Sequence, residues 1–392
     1  MDYIKRSQEI KSEIIENRRA IHMQPEVGMD LPITTAFVVS KLTEYGYNPR
    51  ILSGGGVCAL VGNGEKVFLL RADMDALPMQ EDSGLPFTSQ NENSAHTCGH
   101  DMHTAMLLGA AKLLKENEAS LNGQVKLMFQ PGEEVILGAK SMIADGILEN
   151  PKVNAAFAIH MMPLIKSGVL AYAIGETAAS NDSFTITVTG KGGHGAKPHE
   201  TIDPINAAAH IHISLQEIIS REIDPTATAV LTIGSFHAGS TGNIIPSEAV
   251  MKGTLRTYSK ELRENILSRI NDIITNTATA FRTTATFEIT AAIPPLTSDK
   301  DVVETIDKAF KNSFGGYAVL TQNAKMTASE DFAEIADLVP SMFVMLGGGD
   351  EESGYQYGLH HPKIRYDEEA LPIGAAAYAQ AATAWLDAHV QK

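Results

Sequence analysis

The sequence predicts an α/β protein: a catalytic domain with a largely parallel mixed sheet flanked by helices, interrupted by a small inserted domain. Three observations predict it. Apolar runs of strand length (VCALV, VFLL, VKLMF) alternate with helical periodicity through the first 178 residues. An alternation of period two then takes over, and helix and buried strand return beyond Pro294-Pro295.

The elements follow in order. Ile4, Ile10, Ile14, Ile15 and Ile21 recur near helical spacing, giving a helix over 3–22 that ends near Pro25. Another starts after Pro32, which suits a first helical turn, and stops at Gly46, which suits the left-handed residue past a last turn. Gly54-Gly55-Gly56 leads into the short buried strands, and 104–114 reads as a helix between two of them. In the middle, SFTITVT (183–189) reads as a half-exposed strand, followed by a helix (204–221), strands (229–236 and 249–257), a helix (260–281) and a strand (284–291). That order, βαββαβ, is a ferredoxin-like split βαβ sandwich. The domains expected are 1–178 with 292–392, and an insertion over 179–291.

Composition narrows the function. The 392 residues are 44% hydrophobic and 20% charged, enough for a packed core and a solvated surface. Lys and Arg number 31 against 47 Asp and Glu, and the net charge of −16 argues against nucleic acid or an anionic membrane as partner. Two cysteines make no disulfide framework, so a reducing, cytoplasmic setting is expected. The N-terminal segment lacks the apolar stretch of a signal peptide, and no run approaches the roughly 18 apolar residues of a membrane span.

Ligands of open α/β sheets collect beyond the carboxyl ends of the strands. There the sequence delivers Asp73 and Asp75, then Glu133 and Glu134, then His160, and finally Gly347-Gly348-Gly349 with His360 and His361 shortly after. The segment His96-Thr97-Cys98-Gly99-His100-Asp101-Met102-His103 adds a thiol and imidazoles, with Cys98 and His100 two apart in a loop. Cys, His and Glu together suit Zn²⁺, Mn²⁺, Co²⁺ or Ni²⁺, whereas Mg²⁺ and Ca²⁺ want oxygen alone. Five candidate ligands, Cys98, His100, Glu134, His160 and His360, are satisfied more easily by two divalent ions than by one. Asp73 and Asp75 would orient the histidines. Of the adjacent pair, Glu134 would bind metal while Glu133 moves protons, which is the layout of metal-assisted hydrolysis. Gly347 and Gly348 form a tight turn at which substrate could dock. His210, His212, His237 and His389 read as ordinary histidines, and Cys58, inside VCALV, as a buried structural thiol.

RADMDALP, HTCGHDMH, QPGEE, the His after AFAI, GKGGHGAKPH, GNIIP, GTLRT, SEDF and LHHP, in this order, resemble the metal-dependent amidohydrolases that include hippurate hydrolases, N-acyl-L-amino-acid amidohydrolases and auxin-conjugate hydrolases, in the zinc-peptidase superfamily. The resemblance spans nearly the whole chain. It implies a metal-binding catalytic domain interrupted by a lid or dimerisation domain, and a homodimer or higher homo-oligomer formed through that domain. It implies a pair of divalent metals on Cys98, His100, Glu134, His160 and His360, with His361 the less favoured histidine of the HHP motif. Glu133 is then the general base, Asp75 the carboxylate supporting a metal-site histidine, and His194 the oxyanion donor. Asn243 and Arg256 would hold the substrate's carboxylate. The expected activity is aminoacylase-like hydrolysis of small N-acyl amino acids. The alternatives are a dipeptidase or carboxypeptidase of the same superfamily, a cysteine hydrolase using Cys98 with His100 or His103, and a metal-dependent binding protein without catalysis.

Overall fold

A computed structural model describes residues 1–390. The chain forms two compact units: Met1–Thr177 with Thr297–Lys325 and the chain from Glu330 onward, and Ala178–Leu296 with Met326–Ser329.

In the first unit the strand order, among the described residues, is Arg50–Ile51, Val57–Gly62, Gln124–Gln130, Val67–Asp73, Ala155–Met162, Ser341–Gly347, Leu170–Tyr172, Ala318–Leu320. The four strands from Gln124–Gln130 to Ser341–Gly347 run parallel, and Val57–Gly62 and Leu170–Tyr172 pair antiparallel on either side of them, so the sheet is mixed. Every residue of Val67–Asp73 is buried, which is why the strand opens on the continuous apolar run VFLL rather than an alternation. The helices His100–Glu116 and Ala370–Ala388 pack closely because small residues face each other. A Cβ on Gly109 would lie 2.9 Å from Ile14 Cδ1 and 3.0 Å from Ala375 Cβ, and one on Gly374 would lie 1.9 Å from Met106 Sδ. Tyr378 ties the second of these helices to two neighbouring parallel strands: its hydroxyl donates to Arg71 O at 2.8 Å and accepts from Ile159 N–H at 3.2 Å.

Two elements differ from the sequence expectation. The helix over 3–22 is two helices, Tyr3–Glu9 and Lys11–His22, joined at Ile10, whose ψ of 11° bends the chain. The helix expected at 104 begins four residues earlier, at His100. Gly99, at φ 93°, starts it, and a side chain there would meet Met161 Cβ at 3.1 Å and Tyr366 Cζ at 3.2 Å. His100 therefore stands on a helical first turn, and Cys98 remains in the preceding loop.

In the second unit the strands Ala229–Ala238, Glu248–Thr257, Asn181–Thr189 and Thr284–Ile293 lie in that order, each antiparallel to its neighbour. The alternating burial of Asn181–Thr189 puts Phe184, Ile186 and Val188 against Ile211 and Leu215 of the helix Pro204–Glu217 and Ile266, Ile270 and Ile274 of Lys260–Ala280. Periodicity gave the insertion as 179–291. The compact unit runs to Leu296 and also takes in Met326–Ser329, which joins by main-chain acceptors: Met326 O takes Ala179 N–H at 3.2 Å, and Thr327 O takes the Arg256 guanidinium at 3.2 Å. Such bonds have no side-chain signature.

Among the described residues no helix is long and apolar enough to cross a membrane. Tyr378→Phe removes one hydroxyl from the buried link between helix and sheet, and should lower stability to denaturant by about 1–3 kcal/mol; an unchanged midpoint would show that the link carries no stability.

Candidate metal centre

Three parallel strands of the first unit end side by side, with Asp73 opposite Gln130 and Arg71 opposite Ala158 in register. Beyond them Asp75 turns in, buried, and its carboxylate accepts the main-chain N–H groups of Glu133 at 3.0 Å and Glu134 at 3.1 Å. Its main-chain oxygen bonds His100 Nδ1 at 2.8 Å. A carbonyl can only accept, so Nδ1 carries a proton, and Nε2 is the nitrogen of His100 that a cation could occupy. The same argument fixes His160, whose Nδ1 donates to Met161 O at 2.8 Å while Nε2 lies 3.5 Å from Cys98 Sγ.

Ligand atoms of Cys98, His100 and His160 lie within 4.8 Å of one another, and so do those of Cys98, Glu134 and His360. Cys98 belongs to both groups. His100 Nε2 and Glu134 Oε1 are buried without a hydrogen-bond partner, a costly arrangement that a cation would relieve. These residues fit a pair of divalent, nitrogen- and sulfur-tolerant ions. His103 does not join them: Nδ1 donates to Asp73 at 2.5 Å and Nε2 accepts Met161 N–H at 2.7 Å, so both nitrogens are taken. Burial holds this imidazole down at about 4, against the pull of Asp73, which suits its neutral bonding pattern.

Asp73 and Asp75 both stand beside imidazoles of the site, and each has a further task. Asp73 serves His103 and Arg71, and Asp75 grips the Glu133-Glu134 turn with its carboxylate while holding His100 Nδ1 with its main-chain oxygen, its Oδ1 lying 3.4 Å from the same nitrogen. Gly347 and Gly348 also read differently. Their N–H groups donate to Val169 O and Met162 O, and added Cβ atoms would lie 2.1 Å from Lys166 O and 2.6 Å from Tyr366 Cδ1. Close packing accounts for both glycines, and neither has an N–H left for substrate. His361 stacks on Tyr357 at 4.3 Å and accepts Lys363 N–H, outside both ligand groups, whereas His360 is inside one.

Arg71, Glu330 and Asp331 have no part in the sequence reading beyond their place in RADMD and SEDF. The buried Arg71 guanidinium meets Asp73 at 2.7 Å, Glu330 at 2.9 Å and Asp331 at 2.8 Å. Burial, together with Glu330 and Asp331, pushes the Glu133 carboxyl well above the usual range, while His100 draws it down. Glu134 sits below its ordinary value: His360 and His100 outweigh the effect of its burial. Burial raises the Cys98 thiol strongly, although His100 favours the thiolate. A thiol so placed is a poor free nucleophile, and would become a thiolate on binding a cation.

The remaining expected residues are in the second unit. Gly193–His194 pairs with Ile244–Ile245, with His194 opposite Ile244, and Asn243 O accepts Gly195 N–H at 2.8 Å, so His194 and Asn243 are neighbours. Arg256 is in the strand Glu248–Thr257.

A thiol, imidazoles and a carboxylate converging beyond a parallel sheet, with a second, desolvated carboxylate beside them, define the class: a metal-assisted hydrolase. Residues 69–384 match peptidase family M20/M25/M40, and the chain belongs to that family. It is 38% identical over 393 residues to an IAA-amino acid hydrolase of Arabidopsis thaliana, covering 99% of this chain and 88% of the relative. It is 37% identical over 367 residues to an N-acetyl-L-cysteine deacetylase of Bacillus subtilis, covering 92% and 85%. Among solved structures it resembles a dinuclear metal binding peptidase of the M20 family from Bacillus subtilis, with a TM-score of 0.83, 31% identity, and 97% and 99% of the two chains covered.

Behind the ligands, Asp101 accepts from Arg18 at 2.6 Å and bonds His22 Nδ1 at 2.8 Å, tying the ligand-bearing helix to Lys11–His22. His96 is buried beside this network with neither ring nitrogen hydrogen-bonded, and desolvation by burial drags it down to about 3. The unfolded chain therefore binds this proton below about 6.5, while the native one does so only near 3. Native stability attributable to His96 is complete above that window and is lost as pH falls through it. His96→Gln should flatten the acid side of the stability–pH curve by about one proton, roughly 1.4 kcal/mol per pH unit; superimposable curves in denaturant titrations would refute this.

Proposed function

We propose that the protein hydrolyses the amide bond of N-acyl amino acids, releasing a carboxylic acid and a free amino acid, with two divalent ions on Cys98, His100, Glu134, His160 and His360. The observation that carries this reading is the Cys98 thiol common to two ligand groups, with Glu133 on the turn beside them. Family membership and the activities named for the relatives support the substrate class. The donor set suits Zn²⁺, Mn²⁺, Co²⁺ or Ni²⁺.

The bound ions would supply Lewis acidity toward the acyl carbonyl and toward water. The chain's own groups do the rest. Glu133, desolvated and flanked by Glu330 and Asp331, takes a proton from the attacking water and returns it to the amine nitrogen as the C–N bond breaks. Asp75 fixes that carboxylate's main chain. His194 donates to the developing oxyanion, and Asn243 and Arg256 hold the carboxylate of the amino-acid half. The resemblance of GKGGHGAKPH, GNIIP and GTLRT supports these three roles, and so does the adjacency of His194 and Asn243. On this reading the second unit is the lid and dimerisation domain of a homodimer or higher homo-oligomer. Two free cysteines and an acidic surface suit a cytoplasmic enzyme.

Glu133→Gln should lower turnover about 10²–10⁴-fold, the usual share of a general base, with metal content unchanged by elemental analysis; near-normal turnover would remove Glu133 from this role. Chelation should abolish activity, and re-addition of Mn²⁺ or Zn²⁺ should restore it. Activity that survives chelation but not thiol alkylation would instead identify a cysteine hydrolase. A panel of N-acetyl, N-benzoyl and indole-acetyl amino acids run beside dipeptides should favour the acyl amino acids, and faster turnover of peptides would reassign the enzyme as a dipeptidase or carboxypeptidase.

A further inference from the structure

The chain from Gln130 to Ala139 leaves a strand, carries Glu133 and Glu134, and enters the helix Gly138–Ala144. Its tip faces outward. Val135 and Leu137 are exposed, and Ile136 is held at φ 62°, a left-handed value that a β-branched residue adopts only under outside constraint. The segment doubles back tightly: the N–H groups of Leu137 and Gly138 both donate to Gly132 O, at 3.2 and 3.1 Å, and a Cβ on Gly138 would fall 1.7 Å from Pro131 O.

Its two ends meet on one side chain. The Asp331 carboxylate accepts Gln130 Nε2 at 2.7 and 2.8 Å, one contact to each oxygen, and Ala139 N–H at 3.0 Å. Its main-chain N–H reaches Glu133 Oε1 at 3.4 Å. Asp331 is 1% exposed and is held in turn by Arg71. Each of its oxygens accepts from two protein donors, so its hydrogen bonds are spent on Arg71 and on the two ends of the turn. Asp75 holds the middle of the turn and Asp331 its ends.

We propose that Asp331 is the positioning residue for Glu133: by joining Gln130 to Ala139 it closes the strained turn and presents the base at one place. The proposal rests on Glu133 being the base of the reaction proposed above. Misplacing a reacting group by about 1 Å can cost about 10²-fold in rate. Glu134 is on the same turn but is also held through Asp75 and faces His360, so metal binding should outlast the loss of the clamp.

Asp331→Asn tests it. Arg71 keeps Asp73 and Glu330, so its guanidinium is not stranded, while an amide N–H₂ replaces an acceptor that Ala139 or Gln130 used. Expected are a kcat lower by about 10²-fold, a KM within about threefold for an N-acetyl amino acid, and unchanged metal content. Amide hydrogen exchange over 131–138 should be at least about tenfold faster, with that of Ala155–Met162 unaltered. Gln130→Met releases the other end of the turn, should show the same pattern more weakly, and decides the matter if Asp331→Asn does not fold. A folded variant with kcat within threefold of wild type overturns the proposal, and so does a slow one whose 131–138 amides exchange at the wild-type rate. If metal-replete wild-type enzyme cleaves no N-acyl amino acid, the proposed reaction falls, while the exchange measurement still decides whether Asp331 holds the turn.

Discussion

The structure of the first unit depends on burying an excess of negative charge where parallel strands end. Asp73, Glu330 and Asp331 surround the single guanidinium of Arg71, and Glu133 and Glu134 lie close by. Uncompensated carboxylates are expensive in such a place, so each must be paired, hydrogen-bonded or neutralised. Arg71 meets part of the demand, Gln130 and main-chain N–H groups meet more, and a proton on Glu133 or divalent ions on the adjoining candidate ligands would meet the remainder. The same excess makes Glu133 basic and makes the neighbouring ligand groups attractive to cations.

Architecture makes that concentration of charge possible. Parallel strands deliver their carboxyl ends to one edge, and each adds a short turn carrying one or two polar residues. Gly99 then lets a helix begin within van der Waals contact of Met161 and Tyr366, which brings His100 to the same edge. The carboxylates there have separate tasks. Asp73 fixes His103, whose Nε2 accepts from the main chain of Ala155–Met162; Asp75 fixes the glutamate turn; and Asp101 anchors the ligand helix to Arg18 and His22. The second unit, by contrast, is held by an ordinary alternating apolar face against two helices.

Much of the fold and of the site was legible in the sequence. Alternation of VFLLRAD-type runs with helices required a covered parallel sheet, and the period-two segment SFTITVT required a half-exposed one, so the change of domain character could be seen in the residues. The candidate ligands stood out because thiol, imidazole and carboxylate are rare neighbours at strand ends, and the structure brings Cys98, His100 and His160 together, as it does Cys98, Glu134 and His360. Helix starts set by a glycine dihedral, and the return of Met326–Ser329 to the second unit through main-chain acceptors, were not legible, since neither leaves a periodic or chemical mark.

By itself, then, the sequence determined the layer architecture, the inserted sandwich, and which residue types could hold a divalent ion, because apolar periodicity and ligand chemistry are local properties of the chain. The tertiary structure alone decided how those residues divide the work. The bonding of each imidazole's Nδ1, the grip of Asp75 on the Glu133-Glu134 turn, the exclusion of His103, the packing role of Gly347 and Gly348, and the meeting of Arg71 with Asp331 all depend on segments far apart in the chain. Hydrogen-bond capacity is filled in three dimensions, and a one-dimensional pattern does not record which partner fills it.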